Sequence, residues 1–103
     1  TYIDDVVSGV VTSLIHDSKN NKMYQLYNIG NNNPVKLLDF ISEIEKKINK
    51  TAEKEMLPIQ DGDVFQTFAD VSNFMEEFDH KVTTSISVGV TKFINWYMNY
   101  YKK

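Results

Sequence analysis

Hydrophobic positions recur at the spacing of an amphipathic helix in three stretches of the 103-residue chain. This pattern predicts helices over residues 4–17 and 34–49, and a last helix from about residue 85 into the tail. The apolar residues of each stretch share one side of the helix, which we expect to be buried. A fourth, short helix over residues 70–78 is predicted from the capping residue at its start.

Polar residues at the predicted helix starts support these boundaries. Asn33 precedes Pro34, which suits the first helical position, Asp70 can cap the third helix, and Thr84 or Ser85 can cap the fourth. The residues expected to face the core are Val6, Val7, Val10, Val11, Leu14 and Ile15 in the first helix, Leu37, Leu38, Ile41, Ile44 and Ile48 in the second, and Ile86, Val90, Phe93, Ile94, Tyr97 and Tyr101 in the fourth.

Two further stretches have the composition of β-strands. "MYQLYNIG" (23–30) combines aromatic residues with a terminating glycine, and "AEKEMLPI" (52–59) stops at a proline. With the helix between them they would form a strand–helix–strand unit, which favours parallel pairing. The predicted fold class is α/β: one domain over residues 1–103, with about four helices and a short two-stranded parallel sheet.

Composition excludes several classes of partner. The net charge is -3 and all eleven basic residues are scattered lysines, so we expect no nucleic-acid binding. No apolar run approaches the roughly 20 residues of a membrane helix, so we expect a soluble protein. The absence of cysteine favours a cytoplasmic location. The first ten residues carry neither an initiator methionine nor a signal pattern, and the chain is expected to begin inside a longer sequence.

The stretch "QDGD" (60–63) is the main candidate for a site. A tight turn is the simpler interpretation, because aspartate favours turn starts and glycine accepts a positive φ. Alternatively, Gly62 lets the backbone approach a ligand while Gln60 and Asp63 hydrogen-bond to its polar groups. The neighbouring acids do not follow the register of a calcium loop, so we expect no metal site.

Histidines and aromatic residues supply the other candidates. His16 and His80 lie far apart in sequence and are expected to be surface or capping residues rather than ligands or catalysts. The segment "FINWYMNYY" could stack on a sugar or bind a partner, although aromatic residues at helical spacing are more often core. Trp96 and Tyr100 lie off the apolar stripe, and we expect them at the surface.

The order of four motifs carries a family resemblance: "TYIDDVV", "YNIGNNNPVKLLDFI", "AEKEMLPIQDGDVFQTFADVS" and "TSISVGVTKFINWYMNYY". Together they resemble the C-terminal, substrate-binding portion of extended short-chain dehydrogenase/reductase nucleotide-sugar epimerases, closest to the bacterial UDP-glucuronate 4-epimerases. The resemblance implies that Gln60, Gly62 and Asp63 face the UDP part of the substrate, with the aspartate near the ribose. It makes the ligand-facing interpretation of this turn the preferred one.

The resemblance also implies which functions this chain lacks. Such enzymes bind NAD through a glycine-rich Rossmann turn and catalyse with a Tyr-x-x-x-Lys pair, and the 103 residues contain neither motif. We therefore expect no catalytic residue, no cofactor bound by this chain and no epimerase activity alone, with NAD bound only in a complete enzyme. The arginine that approaches the diphosphate in relatives would precede Thr1, and glutamine at position 60 cannot replace it.

Three functional alternatives remain open at the sequence level. The first is an enzyme fragment, whether truncated, a split gene product that works with a separate Rossmann-domain polypeptide, or a decaying gene remnant. The second is a module that recognises UDP or a UDP-sugar without chemistry. The third is a protein-interaction module that uses the aromatic last helix or the surface left bare by the missing Rossmann half. Relatives dimerise through Rossmann-domain helices, so we expect a monomer. Relatives also carry Gly-Phe-Lys-Pro where this chain has "DHKV" (79–82), and acidic or amide residues where it has Ser87 and Val88, which predicts weaker helix ends.

Overall fold

A computed structural model describes residues 1–19 and 22–102 and contains four α-helices. They are α1 (Ile3–Ile15), α2 (Leu37–Ile48), α3 (Ser72–Phe78) and α4 (Ile86–Tyr101). The prediction of four helices is confirmed. The predicted α/β class is wrong, because no strand occurs in the described residues and this part of the chain is all-helical.

The predicted two-stranded sheet fails because neither segment has a strand to pair with in the described residues. The chain divides into two compact units: unit 1 comprises Thr1–Pro34 and Phe68–Thr84, and unit 2 comprises Val35–Thr67 and the described residues from Ser85 onward. Residues 23–30 belong to unit 1, whereas residues 52–59 belong to unit 2. β-propensity describes how a side chain fits a paired, half-buried surface, so it predicts no strand where the pairing is missing.

Residues 24–29 nevertheless keep the burial pattern of a strand. Gln25, Tyr27 and Ile29 are partly covered, whereas Tyr24 and Leu26, which alternate with them, are 80% and 75% exposed. Alternation with a period of two is typical of an extended backbone. The burial of this segment therefore alternates as in a strand, but the described residues contain no strand and the predicted one is wrong.

An aromatic cluster forms the centre of unit 1. Phe74 of α3 is 3% exposed, and its ring centroid lies 5.7 Å from that of Tyr27 and 4.9 Å from that of Phe78. Helix α1 contributes through Gly9, where an added Cβ would lie 2.9 Å from Cγ2 of Ile29. Because no Cβ fits there without movement of the isoleucine, glycine at this position allows the helix to approach the extended segment.

The predicted inner face of α1 is wrong except at Val6. Val7, Val10, Val11, Leu14 and Ile15 are between 44% and 78% exposed. The covered side of the helix is formed by Val6 together with Asp5, Gly9 and Thr12. The helical period was correct, but an alternative face with a glycine at its centre packs more closely than the apolar stripe.

Helices α2 and α4 pack against each other in unit 2. Val90 and Ile94 of α4 are buried, and Ile41 and Ile44 of α2 are partly covered. Two hydrogen bonds lower the pKa of the Glu43 carboxyl in α2. The larger effect comes from Lys46, and the smaller one comes from the Ser87 hydroxyl of α4. The predicted stripes are thus confirmed at their centres, whereas Leu37, Leu38 and Phe93 remain exposed.

The helix starts agree with prediction in two of three cases. The Ser85 hydroxyl oxygen accepts a hydrogen bond from the Val88 N–H at 3.4 Å, as expected for a cap of α4. Asp70 accepts from the Ser72 N–H at 3.1 Å and so satisfies the first amide of α3, although Val71 holds the N-cap position. The predicted start of α2 at Pro34 is wrong, since Lys36 is extended and the helix begins at Leu37.

Candidate functional site

Residues 60–63 form a closed β-turn in unit 2. The Asp63 N–H donates to the Gln60 carbonyl at 3.1 Å, and Gly62, the third residue of the turn, has a φ of 92°. A positive φ at this position is characteristic of a type II turn and strains any residue with a Cβ. Apart from Gly62 and its two chain neighbours, no described heavy atom lies within 4 Å of where a Cβ would be, so the backbone angle rather than crowding requires glycine.

The structure brings all three predicted site residues into this one turn. Gln60, Gly62 and Asp63 are exposed, and within residues 1–19 and 22–102 no hydrogen bond or ion pair engages the side chains of Gln60 and Asp63. Glutamine offers two donors and one acceptor group, and an ionised aspartate accepts hydrogen bonds from hydroxyl groups. The turn can therefore present both types of group to a polar ligand.

An apolar groove runs beside the turn-bearing segment of unit 2. Its volume is about 560 Å³, and it is lined by one side of α2 and by residues 50–56. Leu37, Leu38 and Ile48, which the sequence assigned to the core, line this groove and are 69%, 52% and 41% exposed. The hydrophobic period identified the apolar face of α2 correctly. It did not indicate that part of this face remains exposed to solvent.

Glu45 holds the segment after α2 against the helix. Its Oε1 accepts a hydrogen bond from Lys54 Nζ and another, 2.7 Å long, from the Ala52 N–H. The Lys54 ammonium and then the Ala52 amide lower the pKa of the Glu45 carboxyl. Because both partners lie in the segment that forms one wall of the groove, this carboxylate fixes the shape of the groove.

A polar cavity in unit 1 brings together the two histidines, which the sequence treated as unrelated. Its volume is about 490 Å³, and His16, Lys19, Glu77 and His80 are among the residues that line it. His16 Nδ1 donates to the Thr12 carbonyl at 3.1 Å, which confirms its predicted capping role, and His80 Nδ1 lies 3.4 Å from Thr12 Oγ1. No sequence spacing indicated that the two histidines line one cavity, because only tertiary folding brings residues 16 and 80 to the same region.

In the described part of the chain, no group of three or more histidine, aspartate or glutamate side chains is arranged to hold a metal ion. His80 Nε2 is buried and has no hydrogen-bond partner among the described residues.

None of the described helices combines the length and apolar character needed to cross a membrane.

Aromatic side chains form an exposed row along α4. Trp96 stacks on Tyr100 with ring centroids 5.4 Å apart and also lies 5.7 Å from Phe93. Trp96, Tyr100 and Phe93 are 53%, 67% and 54% exposed. The surface position predicted for Trp96 and Tyr100 is confirmed, whereas the core position predicted for Phe93 is wrong.

Comparison with known proteins finds relatives over nearly the whole chain, although no protein-family model matches. Protein CapI of Staphylococcus aureus is 38% identical over 117 aligned residues, covering 100% of this chain and 35% of CapI. UDP-glucuronate 4-epimerase 2 of Arabidopsis thaliana is 33% identical, covering 100% of this chain and 26% of that enzyme.

Solved structures show the same likeness in three dimensions. UDP-glucuronic acid 4-epimerase of Bacillus cereus in complex with NAD matches with a TM-score of 0.80 and 33% identity, over 99% of this chain and 30% of that chain. The same enzyme in complex with UDP-glucuronic acid and NAD matches with a TM-score of 0.76 and 34% identity, over 94% of this chain and 31% of the other.

These matches define what the chain is similar to. At the level of class, it resembles one part of a nucleotide-sugar epimerase. More narrowly, the resemblance to UDP-glucuronate 4-epimerases predicted from the sequence is confirmed, and it includes both bacterial and plant enzymes. The chain spans about a third or less of the length of these relatives.

Proposed function

We propose that this chain contributes to UDP-sugar binding in a UDP-glucuronate 4-epimerase and is not catalytic alone. The observation that supports the proposal is the turn at residues 60–63, where a positive φ at Gly62 accompanies two exposed and unengaged polar side chains. In this arrangement Asp63 accepts hydrogen bonds from ribose hydroxyls, and Gln60 and the backbone contact other polar groups of the nucleotide.

The proposed site is weak in isolation. Ribose hydroxyls can be satisfied by one carboxylate, but a diphosphate is bound tightly by cationic groups that form two parallel hydrogen bonds. The chain contains no arginine, and Gln60 is uncharged. Full affinity therefore requires a phosphate contact from a Rossmann domain, which would also bind NAD. We place the chain in the cytoplasm, consistent with its absence of cysteine.

An amide-resolved NMR titration with UDP, and separately with UDP-glucuronate, tests the ligand surface. We expect saturable shifts at Gln60, Gly62 and Asp63 at millimolar ligand. Shifts that are absent in a folded sample, or that are spread over both units without saturation, would contradict the proposal.

Two alanine variants distinguish a ligand contact from a general change in the turn. Asp63→Ala should weaken UDP binding by about tenfold to a hundredfold, because a hydrogen bond to a charged group is worth about 1.5–3 kcal/mol. Asp61→Ala removes the same charge from the same turn and should leave the affinity nearly unchanged. Equal losses in the two variants would indicate a long-range charge effect instead of a contact at Asp63.

An interaction module is the second candidate function. The row of Phe93, Trp96 and Tyr100 is exposed, and aromatic residues are enriched at the centres of protein interfaces. Sedimentation velocity over a wide concentration range tests it. The proposed UDP-sugar-binding role predicts a monomer throughout, whereas an increase in mass that Trp96→Ala abolishes would favour self-association through α4.

A further inference from the structure

Asp61 and Gly62 form an aspartyl–glycine pair at the exposed tip of the turn. Asp61 is the only aspartate in the sequence that is followed by glycine. Both residues are exposed, and the space around the Gly62 Cα is open to at least 4 Å in the direction of a Cβ. Glycine has no side chain to hinder a reaction at its own backbone nitrogen. The pair thus has the composition and the access needed for an intramolecular reaction.

We propose that Asp61 is a site of spontaneous isoaspartate formation in the folded protein. The Gly62 backbone nitrogen attacks the Asp61 side-chain carboxyl carbon, a C–N bond forms, and the carboxyl hydroxyl leaves with the amide proton as water. The product is a five-membered succinimide ring. This step is a dehydration that changes no oxidation state, so it needs no oxidant or reductant. The next step takes up one water molecule, and the two steps together balance.

Water then opens the ring by adding to one of its two carbonyl carbons and breaking the corresponding C–N bond. Addition at the former side-chain carbon restores aspartate. Addition at the α-carbonyl carbon leaves Gly62 joined through the side chain, and Asp61 becomes isoaspartate with a free α-carboxylate. The total mass is unchanged, but the main chain is one methylene longer.

The geometry of the turn leaves both reacting groups accessible. The hydrogen bond that closes the turn joins the Asp63 N–H to the Gln60 carbonyl, so it engages neither the Gly62 nitrogen nor the Asp61 carboxyl. Asp63 is equally exposed, but the residue after it is Val64, whose β-branched side chain crowds the attacking nitrogen. The two aspartates of one turn should therefore differ sharply in reactivity.

Isomerisation would alter the turn that carries it. An extra methylene between Gln60 and Asp63 changes the separation of the two atoms joined at 3.1 Å, so the closing hydrogen bond is lost. Without that hydrogen bond, the turn no longer holds Gly62 at a positive φ. This inference is independent of the proposed ligand, since it depends only on the chemistry of the pair and its exposure.

Peptide mapping after ageing tests the proposal. The folded chain is incubated in mildly acidic buffer at body temperature for several weeks, digested, and analysed by chromatography with fragmentation that separates the two isomers of equal mass. We expect isoaspartate at Asp61 to exceed that at Asp63 several times. An equal or smaller fraction at Asp61 would overturn the proposal.

A variant and a denatured sample complete the design. Asp61→Glu keeps the charge but would require a six-membered ring, so the product at this position should disappear. Chain aged in urea shows the reactivity of the unfolded sequence. If Asp61 isomerises in urea but not in the folded chain, the fold protects the pair and the proposal fails.

Discussion

Asp79 ends helix α3 in a backbone conformation that is unfavourable for its side chain. Its φ is 50° and its ψ is 34°, which is the left-handed region. A Cβ in this region approaches the neighbouring carbonyl oxygen, at a cost of roughly 1–2 kcal/mol for most residues and less for aspartate. The glycine expected here from the resemblance would avoid the contact. The sequence departure at this position therefore corresponds to local strain.

Asp79→Gly should stabilise the protein. Removing the Cβ relieves the left-handed strain, while the added freedom of glycine in the unfolded chain offsets part of the gain. We expect the free energy of unfolding to rise by about 0.5–1 kcal/mol, measured by urea denaturation.

Asp17→Gly provides the matched control for this substitution. Asp17 is an exposed aspartate of the same unit without a positive φ. The same change there should lower stability slightly or leave it unchanged. If Asp79→Gly lowered the free energy of unfolding as much as Asp17→Gly, the left-handed backbone at Asp79 would carry no cost.

Individual residues were predictable from sequence where the determinant is local. Ser85 as a cap and Gly62 in a turn depend on neighbours within three residues, and both are confirmed. The position of His16 and His80 in one cavity depends on tertiary folding that brings the end of α1 near residues 77–80, which no local pattern encodes. Whether Gln60 and Asp63 bind a nucleotide stays a prediction.

At the scale of elements, the segment after α2 depends on one carboxylate. Lys54 and the Ala52 amide lower the pKa of Glu45 from its ordinary value of 4.5. A folded-state pKa below the unfolded value means that the ionised form is favoured by folding. The stabilisation by ionised Glu45 is thus fully present above pH 4.5 and is lost as the pH falls through the depressed folded-state pKa.

Glu45→Gln should reduce the acid sensitivity of the protein. At neutral pH the variant loses the ion pair with Lys54 and melts at a lower temperature than the parent chain. As the pH falls through the depressed pKa of Glu45, the parent loses the same interaction by protonation, so the two melting temperatures should converge. Thermal unfolding followed by circular dichroism in a series from neutral to acidic pH measures the difference.

Glu53→Gln removes one negative charge from the same segment and serves as the control. No hydrogen bond or ion pair of Glu53 occurs among the described residues. Its melting temperature should stay parallel to that of the parent across the pH range. A constant gap between the Glu45 variant and the parent, from neutral to acidic pH, would contradict the linkage argument.

Whole elements were predictable when their stability is encoded within one segment. Helices α1, α2 and α4 follow from hydrophobic period, and the short α3 follows from the capping residue at its start, because helical hydrogen bonds close within a few residues. The two strands were not, because a strand needs a partner from elsewhere in the chain. The buried side of α1 was also missed, since close packing at Gly9 outweighed the wider apolar stripe.

At the scale of the whole molecule, the chain corresponds in length to about a third of its relatives. We expect no NAD-dependent interconversion of UDP-glucuronate and UDP-galacturonate by the purified chain. No tyrosine is followed by lysine four positions later, and Gly30 and Gly62 are isolated from any glycine-rich turn. A coupled assay at high protein concentration measures this directly, and turnover that scales with protein would contradict it.

Adding a Rossmann-domain polypeptide of a UDP-glucuronate 4-epimerase to the same assay tests whether the chain supplies a substrate surface. If the chain supplies a substrate surface, adding it to such a polypeptide should raise epimerase activity, and the Asp63→Ala variant should raise it less than Asp61→Ala. The parent chain without the added polypeptide is the baseline.

The close contact between Gly9 and Ile29 links two positions that are distant in sequence. A methyl group on residue 9 would occupy space now filled by the isoleucine side chain, which is stiff because it branches at Cβ. A smaller residue at position 29 would free that space, so the two substitutions compensate when combined. Among descendants of this sequence, the two positions should therefore change together, and their covariation would record the packing of a helix on an extended segment.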